Sequence, residues 1–209
     1  SPRIANPMIG LGFVDAIHPS DFIALADEYD ADGDGISGKV NIVTDPETGK
    51  PAIGLYGWKA SEPTLKSQTA SAFAGDIGIS SDLASDAHGD CTIVQTDCLS
   101  MATGVQKRLG DSEAPEPVLG LVTFYAANLA VPARRDISNP TVLRGKELFY
   151  GNGCASCHQP KFVTSRKAER EEHQFQLIWP YSDFLLHDMG DGLADGQAVG
   201  RANGREWRT

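Results

Sequence analysis

The pentapeptide at residues 154–158 constrains this chain more than any other feature. It reads Cys-Ala-Ser-Cys-His, and C-x-x-C-H is the attachment signature of a c-type haem. Two thiols at this spacing can bond to the two vinyl groups of one porphyrin, and the adjacent imidazole can rise under the iron as its proximal ligand. We therefore expect Cys154, Cys157 and His158 to bind the cofactor, which would supply part of the core.

The same residues could have either of two other uses. A thioredoxin-like redox pair lies between a strand and a helix, whereas here an amphipathic helix over residues 143–149 precedes the motif and residues 151–153 break it. A four-ligand zinc site needs a second close Cys/His pair, and none follows in the sequence. Haem attachment is the favoured interpretation.

Net charge and hydropathy exclude some classes of partner, and the haem motif indicates the compartment. The 209 residues include 18 basic and 28 acidic side chains, and the formal net charge is −10. This charge argues against nucleic acid or an anionic membrane as a partner. The sequence has no apolar run long enough for a membrane span. Because c-type haem is attached outside the reducing cytoplasm, we expect a periplasmic or otherwise extracytoplasmic location.

The remaining two cysteines, Cys91 and Cys98, are close together in a polar stretch. In an oxidising compartment this arrangement predicts a local disulfide. Closing so short a loop would stabilise the fold by about 2 kcal/mol through the unfolded state. The alternative is a pair of buried thiols, and the polar surroundings argue against it.

The pattern of apolar residues predicts a mainly α fold: a cytochrome c-like haem domain with long irregular loops. Helices are expected over residues 22–26, with Ser20 or Asp21 as the N-cap, and over residues 64–74 and 118–129. We divide the chain into a loop-rich helical region, residues 1–136, and a haem-binding region, residues 137–209. The first region holds the disulfide and a calcium-like loop.

The sixth position on the iron decides the chemistry, because methionine raises the potential and an open site admits small ligands. Small cytochromes c take a distal methionine from a loop downstream of the motif, so Met189 is the first candidate ligand. His187 is its rival, and an open position is the third possibility. Met8 and Met101 are expected to be packing residues.

A second candidate site lies near the start of the chain. Asp30, Asp32 and Asp34 alternate and Gly35 follows, which is the D-x-D-x-D-G start of a calcium loop. The carbonyl of Ile36 could add an oxygen. The twelfth position is Asn41 rather than Glu, and no helix pair is predicted around the loop, so the pattern favours a structural Ca²⁺ site over an EF-hand.

Several blocks of the sequence together resemble the bacterial di-haem oxidoreductases, which are also described as predicted thiol oxidoreductases or di-haem peroxidases. Besides the haem motif, the similar blocks are residues 32–38, 56–60, 68–78, 131–136, 179–190 and 204–209. Members of that family carry two C-x-x-C-H motifs, and this chain has only the second. The resemblance implies that it is the C-terminal haem region of a longer protein, incomplete at both ends, whose partner is a redox protein or a second haem domain.

Three functions follow from these features. The first is single-electron transfer through a His158/Met189 haem, as the electron-transfer haem region of a periplasmic di-haem oxidoreductase or as a monohaem carrier. The second is catalysis at this haem on peroxide or thiols, with His187 or Asp188 as the acid or base. The third is a haem-stabilised binding module. Trp179 and Tyr181 would line the haem pocket, assist transfer or serve as core aromatics.

Overall fold

The architecture is known from a computed structural model, which describes residues 4–89 and 91–209. Within these residues six α-helices follow one another along the chain: α1 (Leu11–Asp15), α2 (Pro19–Leu25), α3 (Leu65–Ile77), α4 (Thr96–Ser100), α5 (Glu116–Ala127) and α6 (Pro140–Gly151). Six short strands pair as three antiparallel ribbons: β1 (Asn41–Thr44) with β2 (Pro51–Gly54), β3 (Phe162–Val163) with β4 (Leu177–Ile178), and β5 (Leu186–Asp188) with β6 (Glu206–Arg208).

The prediction of a mainly α fold is wrong. The chain is 31% helical and 14% strand, with short helices and three small antiparallel sheets. Strands of two to four residues are too short to show the alternation of apolar and polar residues that identifies a strand in a sequence. Pairing partners are also distant: Leu186 pairs with Arg208 on one side and bridges to Lys39 on the other.

Helix ends follow local chemistry. The Thr64 side chain accepts a hydrogen bond from the Ser67 amide at 3.1 Å and completes a capping box, so α3 begins where it was predicted. The predicted cap of α2 is wrong. The helix begins at Pro19, whose ring fixes a helical φ, and the His18 ring accepts from the Ser20 amide at 3.2 Å.

The main core draws on both parts of the chain. The ring of Phe22 in α2 lies 5.8 Å from Phe162 in β3 and 5.6 Å from Phe184, centroid to centroid. Leu55, Leu65 and the end of α5 complete this core from the first 136 residues. The proposed boundary at residues 136 and 137 stays a prediction, and the two sides of it share one apolar cluster.

A buried lysine attaches the C-terminal residues to the rest of the molecule. Lys59, 1% exposed, places Nζ 3.1 Å from a carboxylate oxygen of Asp195. It also donates to the carbonyl oxygens of Asn203 at 3.1 Å and Glu206 at 2.7 Å. The ammonium lies 4.1 Å from the ring centroid of Trp207. These contacts offset the cost of removing a charge from water.

The helices are short relative to a bilayer. The longest one described, α3, has 13 residues, whereas a membrane-spanning helix needs about 20. Over residues 4–89 and 91–209, no helix combines the length and the apolar composition that a crossing requires.

Candidate haem-attachment site

The attachment motif follows directly from helix α6. Asn139 caps the helix by accepting from the Thr141 amide at 2.9 Å, and the chain turns at Gly153, whose φ is 75°. A single 3₁₀ turn, Cys154–Ser156, then places the His158 amide 2.9 Å from the Cys154 carbonyl. The predicted sequence of helix, break and motif is confirmed. The Cys154 thiol is exposed and the Cys157 thiol is partly buried, and neither is in a disulfide.

The imidazole of His158 is oriented by a backbone carbonyl. Its Nδ1 lies 3.0 Å from the carbonyl oxygen of Tyr181. A carbonyl only accepts, so Nδ1 carries the proton, and in the neutral ring Nε2 has the lone pair. Metal-binding histidines characteristically donate their second ring N–H to such an oxygen, which fixes the tautomer and the ring orientation. His158 is therefore preset to bind a metal through Nε2.

Tyr181 is itself held in place from two sides. Its φ is 53°, an uncommon backbone conformation for a residue with a side chain. Its ring packs edge-on against Phe149 of α6, with centroids 5.3 Å apart. Its hydroxyl accepts a hydrogen bond from Arg134 at 2.8 Å, and the same guanidinium lies 5.3 Å from the ring of Trp179. These contacts keep the Tyr181 carbonyl aimed at His158.

His187 lies close to the motif but has no free nitrogen. Its Nδ1 is 2.9 Å from the Ser37 carbonyl and its Nε2 is 2.9 Å from an Asp183 oxygen. Both partners are acceptors, so both nitrogens are directed at oxygens and the doubly protonated ring is favoured. Burial lowers the pKa of His187, but the hydrogen bond and charge of Asp183 outweigh it and the pKa lies above its ordinary value. In this arrangement the ring offers no lone pair to iron.

The same histidine borders the second attachment thiol. The Cys157 sulfur lies 3.8 Å from His187 Nδ1. Burial raises the pKa of the Cys157 thiol, and the charges of Asp183 and Asp34 raise it further. Cys157 therefore lies next to the buried pair of His187 and Asp183. The acidic loop that contains Asp34 also acts on its thiol.

Met189 comes directly after β5. Its backbone N–H donates to the Arg205 carbonyl at 3.0 Å, and its side chain is 49% exposed. The thioether is thus free of the core. Met8 and Met101 were expected to pack inside, and that expectation is wrong: they are 45% and 65% exposed.

Helix α6 presents apolar side chains that the protein does not cover. None of its residues is buried. Val142, Leu143, Leu148 and Tyr150 are between 44% and 50% exposed, although the helix leads straight into the motif. A flat apolar macrocycle held at Cys154 and Cys157 would contact surface of this kind. The two free thiols, the preset imidazole and this exposed apolar helix fit a haem.

The acidic loop forms a cluster that differs from the prediction. Carboxylate oxygens of Asp27, Asp30 and Asp32 lie within 4.8 Å of one another. Asp34, which was predicted to take part, is not in the cluster. Its carboxylate accepts a hydrogen bond from the Ile36 amide at 2.8 Å. Asp27 was missed because it lies outside the D-x-D-x-D-G spacing. It approaches the loop by accepting from the Ala31 amide at 2.8 Å.

The two remaining cysteines are joined. Cys91 and Cys98 form a disulfide with their Cα atoms 6.0 Å apart, and the loop that it closes contains most of helix α4. The bond lies in the long stretch between α3 and α5, which is also held by hydrogen bonds between Ser80 and Glu113.

The chain matches a known protein family. A family model described as "Di-haem oxidoreductase, putative peroxidase" covers residues 1–209. No curated protein and no solved structure matches the chain.

Proposed function

The chain belongs to the di-haem oxidoreductase family, and on that premise we propose that it is the electron-transfer haem region of a periplasmic oxidoreductase. Cys154 and Cys157 would form the thioether bonds and His158 would be the proximal ligand. When bound, the haem supplies one-electron iron chemistry. The residues of the chain attach it, orient the ligand and limit access to it.

The contact between His158 Nδ1 and the Tyr181 carbonyl carries this proposal. A histidine in an ordinary surface turn has no need of a fixed tautomer, whereas a metal ligand does. Here the fixing carbonyl comes from 23 positions along the chain, at 3.0 Å. The carbonyl belongs to a residue in an unfavourable conformation that Phe149 and Arg134 support. Such strain is characteristic of functional sites.

Electron transfer is favoured over catalysis because the candidate acid–base groups are already engaged. His187 is held between Asp183 and the Ser37 carbonyl. Asp188 accepts from the Gly190 amide at 2.8 Å and from the Arg205 guanidinium at 3.1 Å. Action on peroxide or thiols needs such a group free to move a proton, so it remains the alternative.

Location and partner are part of the same proposal. A disulfide and thioether bonds both belong to an oxidising compartment, which supports the periplasm for Cys91–Cys98 and for the haem motif. The partner would be a redox protein or a second haem domain, as expected for a family of di-haem enzymes.

Met189 is the distal ligand in this proposal, since the nitrogens of His187 are occupied. We expect Met189→Ala to abolish the weak far-red charge-transfer band of ferric thioether-ligated haem and to lower the reduction potential. Met101→Ala is the matched control, because Met101 is also exposed, and it should retain the band. The absorbance spectrum of the ferric protein measures both. Retention of the band in Met189→Ala would assign the ligand elsewhere.

A calcium site is a second proposal, and the convergence of Asp27, Asp30 and Asp32 supports it. Three carboxylates this close repel one another, and a hard cation with oxygen ligands relieves the repulsion. We expect chelation to lower the melting temperature, because an ion that binds only the folded chain stabilises it. Thermal unfolding with Ca²⁺ and with a chelator measures the difference.

Two isosteric variants sharpen the calcium test. Asp27→Asn should remove most of the Ca²⁺-dependent rise in melting temperature. Asp34→Asn should keep it, because Asp34 is not one of the three carboxylates that converge. Equal losses in the two variants, or a chain that does not respond to Ca²⁺, would contradict the assignment of the ligands.

A further inference from the structure

The haem-bearing segment, residues 131–161, differs in charge from the rest of the chain. It holds five basic and two acidic side chains, a formal charge of +3, whereas the whole chain carries −10, so the remaining residues carry −13. The basic ones are Arg134, Arg135, Arg144, Lys146 and Lys161, and the acidic ones are Asp136 and Glu147. The net charge of the whole chain would suit a basic partner. This segment has the opposite sign and would suit an acidic one.

These charges face solvent. All seven side chains belong to exposed residues. Arg144 pairs with Glu147 at 3.0 Å, on the surface of α6. Arg135, Lys146 and Lys161 form no ion pair with any residue in 4–89 or 91–209. The positive charge of the segment is therefore available to a partner.

The basic groups are neighbours of the attachment motif along the chain. Arg134 bonds to the Tyr181 hydroxyl while His158 bonds to the carbonyl of the same residue. Lys161 follows His158 by three positions, and Lys146 lies on the helix that leads into the motif. The charges of Asp34 and Asp183 reach Cys157. The motif is thus flanked along the chain by basic exposed residues, while acidic groups from the rest of the protein act on its second thiol.

We propose that residues 131–161 are the docking surface for an acidic electron-transfer protein. With the haem bound, the step would be the transfer of one electron from the partner to the haem iron, with no bond broken and no proton moved. This inference rests on the proposed function. Complementary charge would steer the encounter. A charge of +3 is small for nucleic acid, where specific binders make about six to ten phosphate contacts.

The test uses inorganic oxidants of opposite charge with the reduced haem-loaded chain. If the segment controls approach, oxidation by anionic hexacyanoferrate(III) should slow about tenfold as ionic strength rises, because salt screens the attraction. Oxidation by cationic tris(phenanthroline)cobalt(III) should not slow. A net charge of −10 acting as a whole predicts the opposite dependence, and observing it would overturn the proposal.

Matched charge reversals locate the effect. Arg135→Glu with Lys146→Glu should slow the low-salt reaction with hexacyanoferrate(III) about tenfold. Lys50→Glu with Lys107→Glu changes the net charge equally outside the segment and should slow it little; equal slowing would overturn the assignment. A chain that takes up no haem contradicts the proposed function instead. Binding to phosphatidylglycerol vesicles at physiological salt, lost only in the first variant, would replace the protein partner by a membrane.

Discussion

Replacing both motif cysteines, Cys154→Ala with Cys157→Ala, should eliminate covalently bound haem completely. The thioether bonds have no other thiols to form with, because Cys91 and Cys98 are joined to each other. The expected result is a chain whose mass after denaturation shows no haem, whereas the unaltered chain keeps one haem through denaturation. Intact-mass spectrometry and haem-stained denaturing gels measure this when the chain is made in a host that attaches c-type haem.

The other cysteine pair is the natural control. Cys91→Ala with Cys98→Ala removes as many thiols but should leave covalent haem in place. It should lower the free energy of unfolding by about 2 kcal/mol, since a short loop is released in the unfolded chain. If the second double variant also loses its haem, the disulfide loop takes part in attachment and the motif alone does not explain it.

Lys59→Met should be the most damaging change to stability away from the motif. The side chain is 1% exposed, and its ammonium donates to two backbone carbonyls and pairs with Asp195. Methionine fills similar space but satisfies none of these acceptors. Breaking a buried pair by removing one partner costs about 3–5 kcal/mol. Urea unfolding followed by circular dichroism measures the change.

Lys66→Met is the comparison for that prediction. Lys66 also forms ion pairs, with Glu47 at 2.7 Å and Glu116 at 3.1 Å, but near the surface. Surface pairs contribute about 0–1 kcal/mol, so this variant should unfold close to the unaltered chain. Equal destabilisation by the two substitutions would show that burial of Lys59 is not what makes its contacts strong.

The sequence predicted the features that depend on adjacent residues. About twenty consecutive positions contain the motif, the helix before it and the break between them. Thr64 and Ser67, which form the capping box of α3, mark the start of that helix. The pairing of Cys91 with Cys98 is also local. Short-range patterns of this kind are read from spacing alone.

Features that join distant parts of the chain were not predictable. The ribbon of β5 and β6 and its bridge to Lys39 depend on contacts far apart in sequence. The sequence points to the ring of Tyr181, whereas the contact with His158 is made by its carbonyl, and every residue has a carbonyl. Asp27 joins Asp30 and Asp32 only because the loop folds back. No residue type or spacing signals these roles.

We propose that this chain passes electrons through a haem whose iron would be ligated by both His158 and Met189. The most direct measurement is the optical spectrum of the ferric haem-loaded chain before and after hydrogen peroxide is added. The account predicts a low-spin six-coordinate spectrum that peroxide does not change on mixing. A high-spin spectrum that converts rapidly to new bands with peroxide would contradict it and make this haem the catalytic one.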